Sequence, residues 1–144
     1  MLHARSPVKV LPDAVKLRAS NSEEAGMEPR VILVVDSSKL MHKMYEVALG
    51  TYRLVYAQDG RQALDRFRER EDVDLVITAL HMVNMDGLEL LAELRKLGDE
   101  APAVVVVGSE GTEEETNTAL RSGAAASIQK PFGPEELNAL IRRL

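Results

Sequence analysis

The chain has no cysteine and no tryptophan, and its aromatic content is three tyrosines and two phenylalanines. Without thiols there can be no disulfide, no thiolate metal site and no cysteine nucleophile. Three histidines, His3, His42 and His81, are scattered without ligand spacing, so neither a metal nor any other cofactor is expected. No apolar run approaches the roughly 18 residues of a spanning helix, and the first residues lack the apolar core of a secretory signal. The expectation is a cytoplasmic protein with no membrane association. A formal charge of −5 leaves no basic footprint for nucleic acid.

What is present suits one domain with a substantial core, because 144 residues are too few for two ordinary ones. Residues 1–28 stand apart as a flexible N-terminal extension. Pro7, Pro12 and Pro29 interrupt any helix, and the polar stretch from Ala19 to Gly26 reads as a linker. Val8, Val10, Leu11, Val15 and Leu17 are its only apolar cluster, either a short helix after Pro12 or a docking segment. Translation starting at Met27 is an open alternative.

From residue 29 to 144 the pattern is regular. Val31 to Val35 is a continuous aliphatic run bounded by Pro29 and Asp36-Ser-Ser38, which predicts a buried strand. Ser37 or Ser38 can cap the next helix, with Leu40, Met41, Met44, Val47 and Ala48 as its apolar face. A strand over Tyr52–Ala57 and a helix through Ala63, Leu64 and Phe67 follow. Asp74 to Ala79 forms the central strand, with Thr78, Ala79, Leu80 and His81 at its mouth. After the turn residues Asn84, Asp86 and Gly87 comes a helix facing the sheet through Leu88, Leu91 and Leu94 or Leu97, stopped by Gly98. Ala103–Val107 is the fourth strand, Thr112–Arg121 a polar helix anchored by Ala119 and Leu120, Ala124–Gln129 a fifth strand, and Pro134–Leu144 the last helix. Five strands alternating with five helices predict a flavodoxin-like α/β fold, a doubly wound five-stranded parallel sheet.

These segments resemble the receiver domain of two-component response regulators over residues 29 to 144. The resemblance is carried by Val31-Ile-Leu-Val-Val-Asp-Ser-Ser38, Tyr56-Ala-Gln-Asp-Gly-Arg-Gln-Ala-Leu64, Asn84-Met-Asp-Gly-Leu-Glu-Leu-Leu91, Ser109-Glu-Gly-Thr112, Ser122-Gly-Ala124 and Lys130-Pro-Phe132. In that family an aspartate ending the third strand accepts a phosphoryl group, assisted by Mg²⁺ held by that aspartate and by acids ending the first strand. A Lys near the end of the fifth strand and a Thr or Ser ending the fourth bind the phosphoryl oxygens, and an aromatic on the fifth strand reports the change.

The resemblance places Asp36 at the first acid, Ser37 at the second and Ala79 at the acceptor. It places Gly108 at the hydroxyl position, Ser127 at the aromatic switch and Lys130 at the phosphate-binding lysine, its bond to Pro131 resembling one that the family keeps cis. Val83 replaces the proline common after the acceptor loop. Without an oxygen nucleophile at Ala79 no acyl-phosphate can form, which implies a pseudo-receiver, a non-enzymatic module working through phosphorylation-independent contact with a kinase, output or scaffold protein. Lys130 would pair with Asp36, or both would remain solvated charges. The partner face implied by the family carries Glu113, Arg121, Glu135, Arg142 and Arg143, and a homodimer is possible.

Two alternatives stay open. Ala79 could be an engineered or misread acceptor in an otherwise phosphorylatable receiver. A nucleotide-binding enzyme would require a glycine-rich phosphate loop, but Asp36-Ser-Ser-Lys39 has no glycine. Thr78 and Ser109 offer hydroxyls near the crevice, either for modification or for bonding to backbone. His81 could titrate near neutral pH or simply be exposed.

Overall fold

The computed structural model describes residues 8–10 and 31–144. Met27, the linker and the apolar positions from Leu11 to Leu17 lie outside the described residues. Five parallel strands build the sheet, β2 (Val31–Val35), β3 (Arg53–Ala57), β4 (Val73–Ala79), β5 (Ala103–Gly108) and β6 (Ala126–Gln129). Five helices alternate with them, α1 (Lys39–Ala48), α2 (Gly60–Glu69), α3 (Gly87–Arg95), α4 (Glu113–Arg121) and α5 (Pro134–Arg143). This is the doubly wound flavodoxin-like class.

One element was not anticipated. The extension supplies a short strand, β1 (Val8–Val10), antiparallel to β6, so the sheet has six strands in the order β1-β6-β5-β4-β2-β3. Within the extension expected over residues 1–28, Val8–Val10 are thus placed in the sheet. Val-Lys-Val has the alternation of a strand, and β6 offers an edge whose backbone groups need partners.

Both faces of the parallel sheet are covered at its centre, which is why β2, β4 and β5 read as largely continuous apolar runs. Alternation with period two sorts them into two cores. Ile32, Val34, Leu75, Ile77, Val105 and Ile128 pack with Tyr45 of α1 and Leu137, Leu140 and Ile141 of α5. Leu33, Val35, Val76, Val104 and Val106 pack with Ala63, Leu64 and Phe67 of α2, Leu90, Leu91 and Leu94 of α3, and Ala119 of α4.

Two helix faces differ from expectation. On α1, Leu40 and Val47 are 79% and 80% exposed, and Tyr45 and Ala48 take the core side. On α3, Leu90 is fully buried beside Leu91 and Leu94, whereas Leu97 is exposed. A helical stripe of about 100° per residue leaves the facing direction open when apolar residues occur nearly all round.

Caps fix the helix starts nearest the crevice. Ser38, not Ser37, caps α1, its hydroxyl accepting from Met41 N at 3.1 Å. Asp86 and Glu89 form a reciprocal capping box on α3, both bonds 2.9 Å long. Gly87 is obligatory for a different reason, since a Cβ there would run into the Ala79 carbonyl. The start of α3 is thus pressed against the end of β4.

Candidate functional site

The chain leaves β2 to form β3 on one side and later returns to form β4 on the other. That reversal opens a crevice beyond the carboxyl ends of β2 and β4, where open α/β sheets place their working groups. Asp36 follows the last residue of β2 and Ala79 ends β4.

Asp36 is 4% exposed and held from several directions. Its N–H donates to the Ala57 carbonyl at 3.0 Å, its Oδ1 accepts from Ser38 N at 2.9 Å, and its own carbonyl accepts from His42 Nε2 at 2.7 Å. A carbonyl can only accept, so Nε2 carries the hydrogen. Oδ2 is buried without a hydrogen bond, and Lys130 Nζ lies 3.7 Å from it. The two charges are paired across the crevice at a spacing longer than a hydrogen bond. Lys130 precedes a cis bond to Pro131 and is itself a third exposed.

Burial pushes the Tyr45 phenol well above its usual range, and the Asp36 carboxylate adds to the effect. Tyr45 is therefore a neutral wall beneath the acidic group. Beside it, the His42 and Tyr56 rings lie 4.9 Å apart, and burial followed by the Glu46 charge raises the Tyr56 phenol.

Ser37, in contrast, is exposed. Ala79 is 8% exposed and Leu80 3%, while His81 points to solvent. Thr78 is fully buried, and its hydroxyl donates to the Ala79 carbonyl at 2.9 Å. Ser109 is exposed; its backbone N–H donates to Thr112 Oγ1 at 2.9 Å, and its carbonyl accepts from the same hydroxyl at 2.7 Å.

Gly108 ends β5 in a crowded place. A Cβ there would stand 2.6 Å from Thr112 Oγ1, 2.7 Å from Thr116 Cγ2 and 3.1 Å from Gln129 Nε2. The latter two are linked to each other, Gln129 Nε2 donating to Thr116 Oγ1 at 3.4 Å. Sequence reasoning missed this trio, and the only signal for it was the pair of hydroxyls one helical turn apart at 112 and 116. Ser127, which the resemblance assigns to the switch position, is 1% exposed and lies opposite Lys9 of β1.

Glu113 and Arg121 on α4 and Glu135 and Arg142 on α5 are all exposed. The two helices pack on opposite faces of the sheet, so these residues flank its β6 edge rather than meeting, and β1 covers that edge between them.

Could the crevice hold a divalent cation, as the resemblance would imply? Octahedral Mg²⁺ is usually held through one or two carboxylates and retains several waters. Of the acids the resemblance would require at the crevice, Asp36 is present whereas position 37 is Ser and position 79 Ala, and the Lys130 ammonium already faces the free oxygen of Asp36. Among the described residues no three His, Asp or Glu side chains come together as a metal site. The donor set does not fit.

Fold and crevice together define a receiver-type domain, a doubly wound sheet with an acid after β2 and a lysine after β6. The family model for the response regulator receiver domain matches residues 32–142, and the chain belongs to that family. Among curated relatives, a chemotaxis protein CheY homolog of Campylobacter jejuni is 36% identical over 111 residues, 74% of this chain and 85% of its own. The response regulator MprA of Mycolicibacterium vanbaalenii is also 36% identical, over 118 residues, 81% of this chain but 50% of its own. The chain thus spans about half the length of that relative.

Among solved structures, the receiver domain of NtrX from Brucella abortus superposes with a TM-score of 0.72 at 30% identity, covering 78% of this chain and 95% of that one. Chemotaxis protein CheY4 of Vibrio cholerae gives 0.72 at 26%, covering 80% and 98%. No helix among the described residues is long and apolar enough to cross a membrane.

Proposed function

We propose that this receiver domain is a pseudo-receiver, a non-enzymatic signalling module that binds a protein partner without being phosphorylated. The observation that carries this reading is Ala79, a methyl group at the carboxyl end of the central strand, where family chemistry requires a carboxylate oxygen.

Three features support it. Asp36 has Ser rather than an acid beside it at position 37, and its free oxygen faces Lys130, so the lysine serves as the counter-charge of a buried carboxylate. Position 108 has no space for a hydroxyl-bearing side chain, because Thr112, Thr116 and Gln129 fill it. Ser127 is too small to swing between the interior and the surface as an aromatic switch does. The module would therefore present one constitutive surface, the exposed charges of α4 and α5, to a kinase, output domain or scaffold.

The test is a two-dimensional amide NMR spectrum of the chain, titrated with Mg²⁺ and then with beryllofluoride or a small acyl phosphate. Resonances of Asp36, Ala79 and Lys130 are expected to stay in place throughout. Saturable shifts at sub-millimolar Mg²⁺ would overturn the reading. Whether Ala79 is the encoded residue is checked independently by sequencing the gene at codon 79.

A further inference from the structure

In a doubly wound sheet the outermost strand keeps one row of backbone N–H and C=O groups free, and such a row is a template for any extended segment. The parallel strands end at β3 on one side and β6 on the other, and the row on β6 is taken by the chain's own Val8–Val10 in the register Val8 to Ile128, Lys9 to Ser127 and Val10 to Ala126. The Lys130 N–H donates inward to the Gly108 carbonyl. Alternation then turns the Ile128 N–H inward as well and the Ser127 N–H outward, toward Lys9. Val8 anchors the strand by packing against the core shared by α1 and α5.

The attachment is short. Pro7 and Pro12 bracket the segment, and neither can donate to a ladder, so the pairing has little room to lengthen. Three ordered residues lose conformational entropy of the same order as their bonds return. Twenty residues separate β1 from β2 in the sequence, and a chain of that length can span up to roughly 66 Å. Four strand spacings separate β1 from β2, about 19 Å. β1 can therefore leave and return without disturbing the domain, at a high effective concentration.

We propose that the outer edge of β6 is a strand-accepting docking surface closed in cis by Val8–Val10, and that β1 is a displaceable strap. A protein approaching between α4 and α5 meets β1 first and gains the edge by replacing it with its own extended segment, paired antiparallel to Ala126–Ile128. This regulatory step rests on the partner-binding reading above, whereas the strap itself does not.

The test uses the full ¹⁵N-labelled chain and reads hydrogen exchange at two neighbouring amides, position 127 facing β1 and Ile128 facing β5. Val8→Asp removes the anchor. It is expected to speed exchange at position 127 by ~10-fold or more while leaving Ile128 protected. An unlabelled peptide with the sequence of residues 5–13 should restore protection at 127 in this variant. A Lys9→Cys/Ser127→Cys variant, oxidised in a chain with no other cysteine, should protect 127 fully and ignore the peptide.

Equal protection at 127 in wild type and Val8→Asp, with Ile128 intact, overturns the strap, as does a saturating peptide that protects nothing. Wild-type protection that disappears on dilution, together with a dimer by sedimentation, overturns closure in cis in favour of strand exchange between two copies. None of these readouts involves a phosphodonor or a partner, so a failure of the Ala79 reading would leave them untouched.

Discussion

Replacing Gly108 by threonine would introduce the side chain that the family resemblance implies at the end of this strand, and it should damage the protein. The new Cβ would lie 2.6 Å from Thr112 Oγ1 and 2.7 Å from Thr116 Cγ2, both well inside contact distance. Neither neighbour is free to withdraw. Thr112 Oγ1 is held by the Ser109 N–H and carbonyl, and fully buried Thr116 is fixed by its bond to the Glu113 carbonyl at 3.0 Å. Overpacking of this kind costs about 1–3 kcal/mol, and loss of the Thr112 bonds that organise the entry to α4 adds about 1 kcal/mol. Urea unfolding of wild type and Gly108→Thr should show a lower midpoint with an unchanged slope, equivalent to about 2–4 kcal/mol. Adding Thr116→Ala should recover part of it, because the two sites share the contact. A Gly108→Thr protein within about 0.5 kcal/mol of wild type, the usual surface scatter, would refute the crowding argument.

Three further outcomes follow from the same geometry. Lys130→Met leaves the Asp36 carboxylate buried without its counter-charge and should cost about 1–3 kcal/mol in the same unfolding assay, below the usual buried-pair loss because the lysine is partly solvated. Tyr45, its phenol raised by burial and by Asp36, binds its proton more tightly folded than unfolded. Its contribution is complete below about pH 10 and is lost above it at about 1.4 kcal/mol per pH unit, so Tyr45→Phe should unfold less steeply with alkali than wild type. Parallel alkaline curves would remove that assignment. Asp86→Ala deletes half of the capping box and should lower stability by about 1 kcal/mol; no change in midpoint would mean that α3 is held by its packed leucines alone.

The scaffold was legible because its central strands are buried on both faces, and such strands appear in a sequence as nearly uninterrupted aliphatic runs. Val31–Val35 and Ala103–Gly108 are of this kind, and turn and cap residues separate them from helices of ordinary length. What periodicity could not decide was direction. Leu40 and Val47 share a side of α1 seven residues apart, yet the helix turns Tyr45 inward instead, where its ring can fill the space above Ile32 and Val34. Position 108 was legible as a missing hydroxyl and not as a filled volume, since the crowding comes from residues 4, 8 and 21 positions further along the chain. β1 was legible only as part of an apolar cluster, a short helix or a docking segment. Three residues carry too weak a pattern to specify a strand, and their partner strand is more than a hundred residues away.

The departures at the crevice support one another, which bears on whether Ala79 alone separates this chain from a working receiver. An aspartate at 79 would supply a nucleophile, but a metal would still find Ser37 in place of the second acid, turned to solvent, and Lys130 already opposite Asp36 Oδ2. A hydroxyl added at 108 would collide with Thr112 and Thr116 before reaching any phosphoryl oxygen. Each single reversion thus meets an obstacle set by another position, and a chain altered only at one codon would carry no such obstacles. The proposed absence of phosphoryl chemistry is compatible with a well-packed fold. Asp36 keeps a counter-charge, Gly108 keeps a close-packed neighbourhood, and the edge strand that would carry an aromatic switch holds a buried serine beneath a sixth strand. Asp36 and Lys130 face each other and position 108 is filled, so the crevice is closely packed, and the strap proposed at the β6 edge is the element whose opening the exchange experiment reads.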